Sequence, residues 1–411
     1  MRIDGNDRRI ILIVGNTETL GYFSKELAIY LHGMGREIFI WDMMHPAMSI
    51  SEFEKLPDKE RSVLLTFNFI GCNGEGQFGN GLDTIWEQYG IEIVSIMVDS
   101  PVYYYRQLSA GIRGLSVACI DRNHVDYVKK WHPYIHNVYF WPLCGNEPVD
   151  DIWMWPGVMG HPPYIRPRAI IPHDQRYIDI VFIANYVTKE GIESSISDAD
   201  PEYVDFLHGI CDDMIAHPGK ELEKTLYESL LREFPDEEPD AYPEAMFHMI
   251  YVDLYVRSYF RAQAVRTLTE AGYMVHCVGQ DWDRLETLCP GNLIHTSVMM
   301  TSADCVRALE TARISLNVMP GFKAGAHDRV FSSMLAGCAT LTDTSSYLDE
   351  AIAPWEDYAP FIPGEPDSII DAVSRLISEP ELAQRIADTS RLKAERHFTW
   401  KKAADIINEA I

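Results

Sequence analysis

Apolar positions along the chain fall into short, nearly unbroken runs. They recur at 9–15 (RIILIVG), 36–41 (REIFIW), 62–67 (SVLLTF), 91–98 (IEIVSIMV), 116–120 (SVACI) and 136–141 (HNVYFW). A strand covered on both faces by helices must be apolar throughout, whereas a one-sided strand alternates, so these runs predict a buried parallel sheet. Between the first two runs, Leu20, Phe23, Leu27 and Leu31 repeat at helical spacing. Strand–helix alternation of this kind predicts a doubly wound α/β domain.

The stretch 141–174, WPLCGNEPVDDIWMWPGVMGHPPYIRPRAIIPHD, breaks the rhythm. Its prolines deny helix and sheet, which predicts a linker or a packed connecting loop. Apolar runs then resume at 178–184, 273–278, 291–294, 313–319 and 338–342. No sequence repeat relates the two halves, so the prediction is of two tandem Rossmann-like α/β domains alike in architecture only, with a crevice between them. The expected bounds are 1–172 and 173–395, followed by a C-terminal helix over 396–411 after a break near His397–Thr399.

The second half carries an insertion over about 187–250, with seventeen Asp and Glu against four Lys and Arg, a net −13. Apolar spacing in stretches such as ELEKTLYESLLRE predicts helices there. A solvated acidic face and a partner-docking or acceptor-shaping element are both open readings.

The length of 411 residues fits two domains. The net charge of −26 argues against a nucleic-acid backbone as partner, while leaving room for a local basic pocket. No apolar run reaches the roughly 18–20 residues a membrane helix needs. The start runs directly into a strand without an apolar signal segment, so cytoplasm is the expected location. The 8 cysteines form no C-x-x-C pair and read as buried small hydrophobes in a reducing compartment.

Candidate chemistry gathers at strand ends. After the run at 313–319 come GFKAGAH and then HDRVFSSMLAG. On a helix of about 100° per residue, Val330, Phe331, Met334 and Leu335 share the sheet-facing arc, and Arg329, Ser332 and Ser333 share the outer one. The N–H groups of the first turn favour an anion, and the Arg329 fork suits phosphate oxygens, with Lys323, Gly325 and His327 beside it. A surface helix with a salt-bridged Arg is the plain alternative. Two other strand ends carry a lone glycine: Gly15, followed by Asn16 and Thr17, and Gly279. Either could be no more than a tight turn. G-x-G-x-x-G and G-x-x-x-x-G-K-[ST] are both absent, which disfavours dinucleotide and P-loop enzymes.

The segment His327–Gly337 is similar to the H-x-R-x-F-E-x-M-A-x-G block of the CgeB-like branch of the GT-B glycosyltransferases. VSIMVDSPVYYY at 94–105 and ACIDRNHVDYVKKWHPYIHNVYFWPLCGN also resemble segments of that branch. The resemblance implies a GT-B fold in which the C-terminal helix crosses back to the first domain, with acceptor and donor domains in chain order. It implies metal-independent transfer of a sugar from a UDP-, GDP- or dTDP-sugar to a protein or glycan hydroxyl, with no further cofactor. His327 and Arg329 would contact the donor diphosphate, and Asn317 and Gly325 would line its pocket. The family's Glu after the block's Phe, which holds the donor ribose, is Ser332 here. Asp99 is the leading candidate for the general base, with a turn-capping role equally open, and His124 is second. A nucleotide- or glycan-binding module and a GT-B-fold sugar-nucleotide epimerase are the alternatives to a transferase.

Overall fold

The computed structural model describes residues 8–80, 83–150, 166–296 and 299–410. Most of the Pro- and Trp-rich stretch, 151–165, therefore lies outside the described residues. The chain divides into two compact units. The first comprises 1–144, 149–168 and 398–411, and the second 145–148 and 169–397.

The sheet of the first unit holds β1 (Arg9–Val14), β2 (Ile38–Asp42), β3 (Ser62–Phe67), β4 (Glu92–Met97), β5 (Leu115–Cys119) and β6 (Asn137–Phe140). Their order is β2-β1-β3-β4-β5-β6, and every pairing is parallel. Six consecutive residues of β1 and six of β3 are buried, as the unbroken apolar runs require. Helix α1 (Glu18–Gly33) buries Leu20, Phe23, Leu27 and Leu31. Helix α2 (Arg122–Trp131) is capped by the Asp121 side chain, which accepts from the Asn123 N–H.

The second sheet holds β7 (Ile178–Ile183), β8 (Val275–Val278), β9 (Leu293–His295), β10 (Ala312–Asn317), β11 (Ala339–Thr342) and β12 (Ala359–Pro360). Its order is β9-β8-β7-β10-β11-β12, again all parallel. The acidic insertion is helical as predicted: α3 (Lys189–Glu193), α4 (Pro201–Ala216), α5 (Leu222–Glu233) and α6 (Ala241–His248). The long α7 (Ile250–Glu270) then leads into β8. Further on come α8 (Ser302–Thr311), α9 (Asp328–Leu335), α10 (Pro380–His397) and α11 (Trp400–Ala410).

The break between the last two helices is where the chain changes unit. Thr399 starts α11, with its carbonyl accepting from Ala403 N–H at 3.1 Å. Trp400 then packs, fully buried, against Phe23 of α1 at 4.9 Å between ring centroids. An aromatic of this size buries enough area to hold a terminal helix in place.

One buried cation organises the second unit. Arg176 is 1% exposed and donates to the carbonyls of Ile171, Leu309, Ala312 and Ala336 at 2.7–3.1 Å. The guanidinium thereby bonds carbonyls at the C-terminal ends of α8 and α9 and at the start of β10, where a cation is favoured. Among the described residues no helix is long and apolar enough to cross a membrane.

Candidate functional site

In a parallel sheet of this kind, ligands bind beyond the carboxyl ends of the strands, where the connection reverses direction. In the second unit that reversal lies between β7 and β10, which end at Ile183 and Asn317. Arg329, in the first turn of α9, donates from Nη1 to the Ile183 carbonyl at 3.1 Å. Its Nη2 lies 2.7 Å from His327 Nδ1. A guanidinium can only donate, so Nδ1 accepts and the neutral ring carries its proton on Nε2. Asn317 Oδ1 also lies 3.3 Å from that Nδ1. Two acceptors cannot bond to each other, so this is packing. The Asn317 amide is anchored instead by donating to Thr342 Oγ1 at 2.9 Å.

Burial holds the His327 pKa well below the ordinary histidine value, helped by the positive charges of Arg329, Arg261 and Arg257. Arg257 and Arg261 stand one turn apart on α7. Arg261 donates to the Asn185 carbonyl at 3.2 Å, and Arg257 pairs with Asp253 at 3.3 Å. Three guanidinium groups therefore act on one imidazole, in a chain whose net charge is −26.

The sequence reading missed Arg257 and Arg261. Their four-residue spacing was visible, but nothing local ties α7 to a loop some seventy residues further on. Asp343, at the end of β11, was missed too. Its carboxyl is 1% exposed, and burial pushes its pKa up to about 6 against the opposing pull of Lys323. Its Oδ1 accepts the Met319 N–H at 2.9 Å.

Loop 320–326 is held to the start of the helix Ser346–Ala351, which follows β11. The Lys323 carbonyl accepts the Ser346 N–H at 2.9 Å, and the Gly325 carbonyl accepts the Ser345 hydroxyl at 2.6 Å. Gly279 has φ +151°, and a Cβ there would lie 2.1 Å from the Ala184 carbonyl oxygen, so close approach of two strand-end loops requires glycine.

One expectation for α9 needs correction. The helix has no plain outer arc: Ser332 and Ser333 are 3% and 0% exposed. Ser333 shares a 2.8 Å hydroxyl–hydroxyl bond with Thr340 on β11, inside the core. Ser332 accepts the Asn146 N–H at 2.8 Å, because segment 145–148 lies against the helix. The contact is so close that a Cβ on Gly145 would come within 2.4 Å of Phe331 C and Ser332 N. Burial pushes the pKa of the Asp328 carboxyl up, against the pull of Arg329.

In the first unit the sheet reverses between β1 and β3. Gly15 follows β1 with φ +85°, and a Cβ there would lie 2.7 Å from Asp42 Oδ1. Asn16 and Thr17 are exposed, and Thr17 precedes α1 without a side-chain capping bond. After β3, Asn68 and Phe69 both adopt left-handed backbone, with φ 50° and 58°. Two adjacent non-glycine residues in this region carry strain of roughly 1–3 kcal/mol each, which the surroundings must hold. The Phe69 N–H donates to Ser95 Oγ at 3.0 Å, and the Asn68 Oδ1 accepts the Val98 N–H at 2.9 Å. The Asn68 amide then donates to Asp99 Oδ2 at 2.9 Å, and the Tyr104 hydroxyl reaches the same oxygen at 3.4 Å. Burial and the Asp99 charge push the Tyr104 phenol pKa up, so it stays a donor. Asp99 itself is half-buried, whereas His124 on α2 is 1% exposed. Among the described residues, no group of three or more His, Cys, Asp or Glu side chains is placed to hold a metal.

Residues 257–409 match a family model described as glycosyl transferase-like. No curated protein sequence matches the chain. Among solved structures, sucrose-phosphate synthase from Thermosynechococcus elongatus superposes with a TM-score of 0.54 at 11% identity, covering 98% of each chain. Anabaena HepE, in complex with UDP and glucose, gives 0.53 at 8% identity over 98% of this chain and 99% of its own. A T4 phage BGT mutant, in complex with UDP-glucose, gives 0.52 at 9% identity over 98% and 99%. The fold is GT-B, two parallel six-stranded sheets with their helices. Together with the family match, it makes the chain a glycosyltransferase by class.

Proposed function

We propose that the chain transfers a sugar from a nucleoside-diphosphate donor to a hydroxyl of a protein or glycan acceptor, without a protein-bound metal. The observation that carries this reading is the cationic group Arg257, Arg261 and Arg329 around His327 at the reversal point of the second sheet. The bond from the anomeric carbon to the diphosphate breaks with its electron pair on the leaving oxygen. Fixed cations beside that oxygen stabilise the developing charge without having to reorganise. Arg329 takes the central role, and its two anchoring bonds hold the fork in one orientation. Lys323 adds charge, and His327 offers an Nε2–H to a phosphate oxygen. As the acceptor oxygen attacks, Asp99 takes its proton, positioned by Asn68 and Tyr104.

The likeness of His327–Gly337 to the CgeB-like block supports this assignment. At Ser332, however, segment 145–148 occupies the space a ribose-binding Glu would need, so another residue must recognise the ribose. UDP-sugars are the donors to try first, because the structures of HepE and BGT were obtained with UDP or UDP-glucose. The test is calorimetric titration and turnover with UDP-, GDP- and dTDP-sugars, for wild type and Arg329→Ala. The expected result is donor binding and turnover in wild type, insensitive to EDTA, with turnover lost in the folded variant. Near wild-type turnover in Arg329→Ala overturns the reading. Donor binding by wild type with no turnover or hydrolysis would instead support a binding module, the alternative that the covered Ser332 position favours.

A further inference from the structure

The acidic insertion contains a cavity of about 670 Å³ that the transferase chemistry does not use. Its walls are Tyr203 and Phe206 of α4, Leu230 of α5, Phe234, Tyr242 of α6 and Met249. The space exists because small side chains, Ala199, Ala241 and Ala245, face these large ones. Both tyrosine hydroxyls are already engaged: Tyr242 donates to the Phe234 carbonyl at 2.8 Å and Tyr203 to the His248 carbonyl at 3.2 Å. The rings therefore present apolar, oriented faces. Phe234 is 49% exposed at the rim.

The rim is acidic. Asp198 and Glu237 line the opening, and no Lys or Arg is among the lining residues. The neighbouring segment 236–240, DEEPD, is wholly exposed, within an insertion of net charge −13. The matched family region begins at residue 257, after this insertion, so the device lies outside what the glycosyl transferase-like model describes.

We propose that this cavity docks a basic polypeptide segment that inserts one large aromatic or aliphatic side chain between the rings. Charge complementarity selects the occupant: the rim attracts Lys and Arg, and repels anionic ligands and a second copy of this chain. The volume is that of a specific pocket for a small ligand or anchoring side chain, and aromatic walls are the usual seat of binding hot spots. The proposal does not depend on the donor reading, since it needs no turnover.

The test uses the full chain and fluorescence anisotropy with three labelled dodecapeptides: Lys/Gly with a central Phe, the same with Ala for Phe, and Glu/Gly with a central Phe. The Lys/Phe peptide should bind at least about tenfold more tightly than either control, the difference a buried anchor commonly supplies, and weaken as salt rises. Ala245→Trp fills the cavity and should abolish binding. Ala241→Trp, at an exposed wall position, guards against a folding defect, and thermal melts confirm that each variant is folded. Glu237→Lys should weaken binding at low salt only. Equal binding of the Lys/Ala peptide, retained binding in both folded Trp variants, or no binding of the Lys/Phe peptide would overturn the proposal. A dimer in sedimentation that Ala245→Trp dissolves would also overturn it, in favour of a second copy as the occupant.

Discussion

Both sheets are six-stranded and wholly parallel, but their strand orders differ on one side of the reversal, 2-1-3-4-5-6 in the first and 3-2-1-4-5-6 in the second. The strand ends near the two reversals present opposite chemistry. In the first unit the strand ends after β3 and β4 hold a carboxylate: strained Asn68 donates to Asp99, and Tyr104 closes on the same oxygen. In the second unit the ends of β7 and β10 hold cations: Arg329 is tied to the Ile183 carbonyl and His327, with Arg257 and Arg261 nearby. The scaffold decides only where a ligand can sit. Two or three side chains per strand end decide what it is, which is why a single architecture serves so many reactions.

That comparison is sharpest if each side fails in its own way. Asp99→Asn keeps the shape and the Asn68 contact, so it should leave donor binding unchanged while lowering kcat by about 10³, the middle of the range for general base catalysis. Full activity in that variant would reduce the first reversal point to a turn. Arg329→Ala should lower kcat by about 10²–10³, as removal of one charge-stabilising donor does, and should also weaken donor binding in calorimetry. Asn68→Gly keeps the left-handed backbone accessible but deletes the amide that holds Asp99. An approximately tenfold loss of kcat with an unchanged melting temperature is expected, on the logic that a loosened base costs less than a missing one. Asn68→Ala, by contrast, should lower stability as well, because alanine resists positive φ.

The smallest expected effect is acid sensitivity. Buried His132, in the first unit, has its pKa lowered to about 4, and that of His327, in the second, lies well below 6.5. Below pH 6.5 the unfolded histidines take up protons that the folded ones refuse, so stability falls from there towards pH 4. Asp343 works the other way: its pKa is raised to about 6, so its contribution is full below the unfolded value and lost as pH rises through 6. Two histidines outweigh one carboxyl, so the melting temperature should drop between pH 6.5 and 4.5. His132→Asn should flatten that slope, and an unchanged slope would remove His132 from the account.

Much of this architecture was written in the order of residues. Unbroken apolar runs mark strands buried on both faces, and all eleven runs lie on strands of the two sheets, with ends displaced by at most two residues. The helical insertion and the helix break near His397–Thr399 were equally legible, because each depends on local spacing. Arg329 and His327 could be singled out for the same reason, lying two residues apart in the chain. What the sequence could not show was orientation and company. Helical geometry alone put Ser332 and Ser333 on an open face, but whether a face is open depends on what packs there. Segment 145–148 covers one serine and β11 takes the other. Arg257, Arg261 and Asn68 gain their meaning from partners 30 to 72 residues away, a distance over which sequence carries no geometric signal. Local periodicity determined the elements, and long-range packing decided which side chains face a ligand.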